Sequence, residues 1–201
     1  GKTYKINVKI NTKKKFFLTS NNFQSNIYNI LAALAVISIH ENISELSKNI
    51  FKDFKTPNGR GDFAKVKIDK KYINLIDESY NSNPLSLKSA ILNYDKFQSN
   101  KSKKYLLLGD MLELGTHSKK LHQSIVPFIN KSKIDKVFVK GKKVISIFKK
   151  LSNSKKGGVL HSKSQIIKLI KNQLNNNDYL MIKASNATRF NLIAKNLKGI
   201  N

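Results

Sequence analysis

The sequence predicts an α/β fold: a parallel sheet with helices on both faces, running from about residue 70 to the end, and preceded at residues 1–69 by the end of a different unit. Three observations predict it. Short apolar runs at 72–76, 105–108, 136–139, 159–160 and 179–182 alternate strictly with helical patterns at 85–97, 118–129, 142–151, 164–174 and 187–197. The runs are apolar on both sides, as strands between two helical layers must be. The alternation starts only after the polar turn Asp69-Lys70-Lys71, and what precedes it is organised differently.

From residue 2 to 18, Tyr4, Ile6, Val8 and Ile10 fall on one side of an alternating pattern, which predicts a β-hairpin turning at the lysines 13–15. From Asn26 the spacing changes to Ile27, Ile30, Leu31, Leu34 and Ala35, a helical stripe ending near His40. Asn42, with Glu45 three residues on, has the form of a capping box and predicts a second helix reaching Phe54. Thr56-Pro57-Asn58-Gly59-Arg60-Gly61 breaks the chain, and a short strand is expected over 63–68.

With 201 residues, 40% of them hydrophobic, the chain can hold one complete domain and part of another. It has no cysteine, which excludes disulfides and thiolate-bound metals. His117 and His122 are five apart, on different faces of a helix, so no histidine metal site is expected. The apolar run 30–39 is about half of a membrane span and reads as a buried helix, and the first residues lack a signal-peptide core; a cytoplasmic location is expected. The formal charge of +26 invites a nucleic-acid or membrane partner. However, Arg60 and Arg189 are the only arginines, and lysine is spread over every segment. Recognition surfaces favour the arginine fork and gather charge on one face, so an ordinary solvated surface is expected, with neither nucleic acid nor membrane as partner.

In an open parallel sheet the loops leaving the carboxyl ends of the strands share one crevice. Here those exits are Asp77-Glu78-Ser79-Tyr80-Asn81-Ser82-Asn83-Pro84, Gly109-Asp110-Met111-Leu112-Glu113-Leu114-Gly115, Lys140-Gly141 and Lys183-Ala184-Ser185-Asn186-Ala187-Thr188-Arg189. Capping accounts for single residues such as Asn83 before Pro84, or Ser118. It does not account for carboxylates, amides and hydroxyls gathered at three exits, which predict a shared binding crevice.

The same segments resemble the Mur ligase family. DESYNSNP at 77–84 resembles the DDSYNANP motif, and LLGDMLELG at 107–115 the VLGDMLELG motif, of the family's D-alanyl-D-alanine-adding branch. His122, seven residues past Gly115, matches a motif histidine. Residues 26–33 (NIYNILAA) resemble a HNxxNxLAA helix, Gly59-Arg60 a GR element, and Lys183-Ala184-Ser185 a KGS element. Ser25 stands in place of the helix motif's histidine, Glu78 in place of a second aspartate, and Ala184 in place of a glycine, which would be costly if that position needed positive φ.

The resemblance implies that residues 1–69 are the end of a central ATP-binding domain and 70–201 a Rossmann-like C-terminal domain. It further implies an ATP- and Mg2+-dependent amide ligase acting, as a monomer, on UDP-MurNAc-tripeptide and D-alanyl-D-alanine through an acyl phosphate. Asn29 would lie at the adenine, Asp77 at the ribose hydroxyls, and Arg60 near ribose or phosphate. Asp77, Ser79 and Asn81 would form the catalytic group, with Ser79, Tyr80, Asn81 and Asn83 along the seam between domains. Asp110, Glu113, Lys183 and Ser185 would face the dipeptide. Gly1-Lys2-Thr3 imitates a phosphate loop but lacks its glycines and reads as the start of a strand; the true loop is expected upstream, leaving this chain inactive alone. Two alternatives stay open: another amino-acid-adding member of the family, and a basic nucleic-acid-binding module.

Overall fold

The computed structural model describes residues 3–10, 12–20, 24–54, 57–97 and 101–199, with residues 24 and 25 described by backbone only; Gly1 and Lys2 of the phosphate-loop imitation and the side chain of Ser25 lie outside. The chain divides into two compact units, Gly1–Thr56 and Pro57–Asn201. No described helix is long and apolar enough to cross a membrane.

In the first unit, β1 (Tyr4–Ile10) and β2 (Lys13–Thr19) form the expected hairpin. Its register pairs Ile10 with Lys13, so the lysines 13–15 belong to β2 and the reversal falls before them. This register sends Val8 and Phe17 inward, where they meet Ile30 and Leu34 of α1 (Gln24–His40). No helix forms over 42–54; the segment is a series of turns such as Glu45 N–H to Asn42 O at 2.9 Å and Lys52 N–H to Asn49 O at 2.9 Å. The Asn42 amide oxygen accepts from Ser44 N–H and the Lys13 ammonium, a local bond that competes with the helix. The Lys48 carbonyl, which a helix would bond to residue 52, instead accepts from Leu18 N–H at 2.8 Å. The turns deliver Phe51 edge-on to Phe17, with ring centroids 5.6 Å apart.

The second unit is a six-stranded sheet in the order β3-β4-β8-β5-β6-β7, formed by β3 (Asp62–Ile68), β4 (Lys71–Glu78), β5 (Lys104–Gly109), β6 (Lys136–Lys140), β7 (Lys156–Val159) and β8 (Tyr179–Lys183). All neighbours are parallel except β3, which pairs antiparallel with β4. Thus the strand that the sequence division at 69 leaves with the first piece is the sheet's edge. Asp69-Lys70 is a hairpin turn, with Asp69 left-handed at φ 53°, and Val66 and Ile68 bury in the same cluster as Ile73 and Leu75.

The predicted two-sided burial is present. Leu106 and Leu108 face α2 (Pro84–Asp95), α4 (Val126–Lys131) and α5 (Ile145–Lys150), the last of which α3 (Ser118–Gln123) packs against; Tyr105 and Leu107 face α6 (Lys163–Gln173) and α7 (Phe190–Lys198). Each fully buried leucine contributes roughly 1.5–3 kcal/mol. The helix expected over 118–129 is two short ones, because Pro127 has no N–H to give residue 123 and its ring opposes that carbonyl. β7 starts earlier than its apolar residues because Phe138 covers Gly157, where an added Cβ would lie 2.6 Å from the ring.

Several lysines stitch the unit together. Lys71 donates to the carbonyls of Lys171 and Leu174 at the end of α6, Lys104 to Tyr94 O (3.0 Å) and Asp95 O (3.3 Å) at the end of α2, and Lys155 to Ser132 O (2.7 Å) and Ile134 O (2.6 Å) past α4. Cations are favourable there because the last carbonyls of a helix lack intrahelical partners.

Candidate functional site

Because β8 lies between β4 and β5, the loops leaving all three emerge side by side at one edge of the sheet. Ser185 joins them. Its hydroxyl donates to Ser82 O (3.2 Å) in the loop after β4 and accepts from Leu112 N–H (2.9 Å) in the loop after β5, while its own N–H donates to Asp110 O (3.1 Å). The residue is buried, so these bonds are poorly exchanged for water.

Beside it, Lys183 is buried with its ammonium 3.5 Å from Glu78 Oε2, and it also donates to the carbonyls of Asn81 and Glu78. Burial raises the Glu78 pKa, against the lowering effect of Lys183, and burial lowers the Lys183 pKa, against the raising effect of Glu78. Both groups are thus pushed toward neutrality by their surroundings and held charged by each other.

Asp77 is buried at the end of β4, with one carboxylate oxygen accepting from the Ser79 N–H and hydroxyl and the other 2.6 Å from the Lys198 ammonium. Lys198 also pairs with Asp62. Burial works against its charge, but hydrogen bonds and charge from Asp62 and Asp77 prevail and raise its pKa. On the outer side, Arg60 is exposed and its guanidinium lies 4.2 Å from the centroid of the Tyr80 ring. Gly59, left-handed at φ 80°, lets this loop approach: an added Cβ would lie 2.8 Å from Tyr80 N.

The loop after β5 is fixed from beneath. His122, buried, accepts from Met111 N–H at 3.1 Å through Nε2 and reaches Ser118 O at 2.7 Å through Nδ1, which assigns the proton to Nδ1. Asp110 accepts from the N–H groups of Lys143 (3.0 Å) and Val144 (2.7 Å). Glu113 is exposed and left-handed at φ 61°. Asn83 caps α2 in a reciprocal pair with Ser86, the capping reading of that residue. Ala184 is not left-handed, and its methyl fills the space left by Gly109, where a Cβ would lie 2.7 Å from it.

The structure therefore brings together Arg60, Asp77, Ser79, Tyr80, Asn81, Asn83, Asp110, Glu113, Lys183 and Ser185 along one edge. Among them Arg60, Tyr80, Asn81, Asn83 and Glu113 are exposed, whereas Asp77, Ser79, Lys183 and Ser185 are buried with their polar groups bonded within the protein. Asn29 is exposed on α1 in the first unit. Sequence reasoning missed Asp62 and Lys198. The only signal for Asp62 is a carboxylate just after the Gly-Arg-Gly run, and nothing separates Lys198 from the surrounding lysines.

The model of the Mur ligase, glutamate ligase domain matches residues 59–186. A UDP-N-acetylmuramoyl-tripeptide--D-alanyl-D-alanine ligase of Bacillus subtilis is 33% identical over 128 residues, 62% of this chain and 28% of the relative. One from Buchnera aphidicola is 34% identical over 177 residues, 86% of this chain and 36% of the relative. The chain thus spans about a third of the length of the curated relatives it matches. The fold is also that of the MurF ligase from Thermotoga maritima solved in complex with ADP, with a TM-score of 0.77 at 21% identity, covering 98% of this chain and 44% of that one. From the motifs, the sheet order and the family match together, this chain belongs to the Mur ligase family.

Proposed function

We propose that this chain is part of an ATP-dependent ligase that joins D-alanyl-D-alanine to UDP-MurNAc-tripeptide, with the loops at the carboxyl edge of the sheet as one wall of its site. The observation that carries the reading is the Ser185 hydroxyl, bonded at once to the two segments whose sequences resemble that branch of the family. The names of the relatives from Bacillus subtilis and Buchnera aphidicola support the same substrates.

In this reaction the γ-phosphoryl group of ATP passes to the terminal carboxylate of the tripeptide and ADP leaves. The dipeptide amine then attacks the acyl carbon, loses a proton, and phosphate departs with the C–O bond. Such chemistry needs placement and charge stabilisation rather than a protein nucleophile. Arg60, exposed and backed by Tyr80, suits phosphate or ribose oxygens. Asn29 is assigned to the adenine. Asp77 fits a ribose contact poorly as it stands, since both its oxygens are engaged; its part is to hold Ser79. Tyr80, Asn81 and Glu113 are the exposed groups left to meet tripeptide and dipeptide, while Asn83, Asp110, Lys183 and Ser185 keep the wall in shape.

Magnesium would neutralise charge on the phosphates. In this reading the ion is held largely by phosphate and water. A cytoplasmic, monomeric protein belongs to the same reading.

The test uses the protein expressed from the complete reading frame. Supplied with ATP and UDP-MurNAc-tripeptide, it releases phosphate when D-alanyl-D-alanine is added and forms the pentapeptide product by mass. Single amino acids should be used at least about a hundredfold less well, judged by kcat/KM. Equal use of a single amino acid overturns the assignment.

A further inference from the structure

Lys198 lies in the last turn of α7, beyond the residues the family model matches. Its side chain is 7% exposed, and its ammonium sits between the carboxylates of Asp62 and Asp77. These two aspartates are direct cross-strand partners in the β3–β4 ladder. Like charges in that relation repel, and the Lys198 ammonium placed between them offsets that repulsion.

The second oxygen of each aspartate organises a loop. Asp62 Oδ1 accepts from Gly59 N–H at 2.6 Å, and Asp77 Oδ1 accepts from the N–H and hydroxyl of Ser79. The loops are tied to each other as well, because Gly59 O accepts from Tyr80 N–H at 3.0 Å and Asp77 O from Gly61 N–H at 2.8 Å. Arg60, stacked on Tyr80, is the exposed end of a bonded chain that begins at Lys198.

We propose that Lys198 is a positioning residue for nucleotide binding: by bridging Asp62 and Asp77 it fixes the two loops that present Arg60, backed by the Tyr80 ring, to the phosphate or ribose oxygens of ATP. The inference rests on the ligase reading for the identity of the nucleotide. It does not depend on which amine is joined.

In the protein from the complete reading frame, ATP affinity is measured by calorimetry, and KM for ATP and kcat by phosphate release. Lys198→Met should weaken ATP binding and raise KM about tenfold or more while kcat stays within about threefold. Lys198→Arg, which keeps the cation, should remain within about threefold of the parent. Adding Asp62→Asn to Lys198→Met removes one of the two repelling charges and should recover part of the lost affinity. Unchanged affinity in a folded Lys198→Met protein, a fall in kcat alone, or no recovery with Asp62→Asn overturns the positioning role. If Lys198→Met does not fold, Lys198→Arg and the double variant decide it: ATP affinity lost in both overturns the role, and affinity kept in both supports it. A parent protein that binds ATP but prefers another amine sinks the substrate assignment and leaves this inference standing; one that does not bind ATP sinks both.

Discussion

Ser185→Ala should loosen the whole carboxyl edge of the sheet, because one hydroxyl serves a donor in one loop and an acceptor in another. The substitution removes a single oxygen, so little cavity arises and the cost is that of polar groups left without partners. Leu112 N–H, partly buried, loses its acceptor, and Ser82 O, buried, loses its donor. A buried group left unsatisfied costs roughly 1–3 kcal/mol, reduced where water can reach it. With Leu112 partly accessible, about 2 kcal/mol is the expected total. For a urea slope of about 2 kcal/mol per molar, the unfolding midpoint of the second unit should fall by about 1 M with the slope unchanged. Exposed Ser89→Ala on α2 serves as the control and should stay within about 0.5 kcal/mol. Amide exchange gives the local view: Leu112 N–H should exchange at least about tenfold faster. A midpoint shift no larger than that of the control, with Leu112 exchange unaltered, would refute the pinning role of Ser185.

Gly109→Ala would press a methyl against Ala184 and the Phe190 ring, 2.7 and 2.8 Å away, and should cost about 1–3 kcal/mol. Ala184→Gly in the same protein should return most of it, and a double-mutant cycle with coupling below about 0.5 kcal/mol would contradict the contact. Glu78 has a raised folded pKa, so the folded state takes up its proton first as pH falls; its contribution to stability increases on acidification through that window and is lost above it. Lys183→Met removes the opposing charge, so the Glu78 titration followed by carboxyl NMR should move higher still, and a downward move would contradict the pairing. Asn83→Ala should cost about 1 kcal/mol in thermal unfolding through the lost cap of α2.

The alternating apolar runs gave away the sheet because strands buried on both faces have few other ways to be written; Leu106, Leu107 and Leu108 are the clearest case. The loops were legible for a related reason, since their polar residues exceed what turns require. Much less legible was anything set by a partner distant in sequence. Asn42 and Glu45 have the spacing of a helix start, yet Lys13 and Leu18 bond to that segment and turn it into loops. The Asp69-Lys70 turn looked like a division between domains, although it only reverses the chain into an edge strand. Within the site, residue type was readable and orientation was not: the binding roles expected of Asp77, Lys183 and Ser185 do not distinguish a group facing ligand from one buried beneath it. Lys198 had no local signature at all, because its meaning comes from two aspartates more than a hundred positions away.

Two chemical populations stand out among the described lysines. Lys71, Lys104, Lys155, Lys183 and Lys198 are woven into carbonyl or carboxylate oxygens, whereas amines such as Lys9 and Lys119 stand in solvent. Mutational drift in base composition can therefore strip or add the second population and carry the isoelectric point with it, while the first stays fixed by geometry. A descendant with far fewer positive charges would still be recognisable by the handful of amines it could not give up.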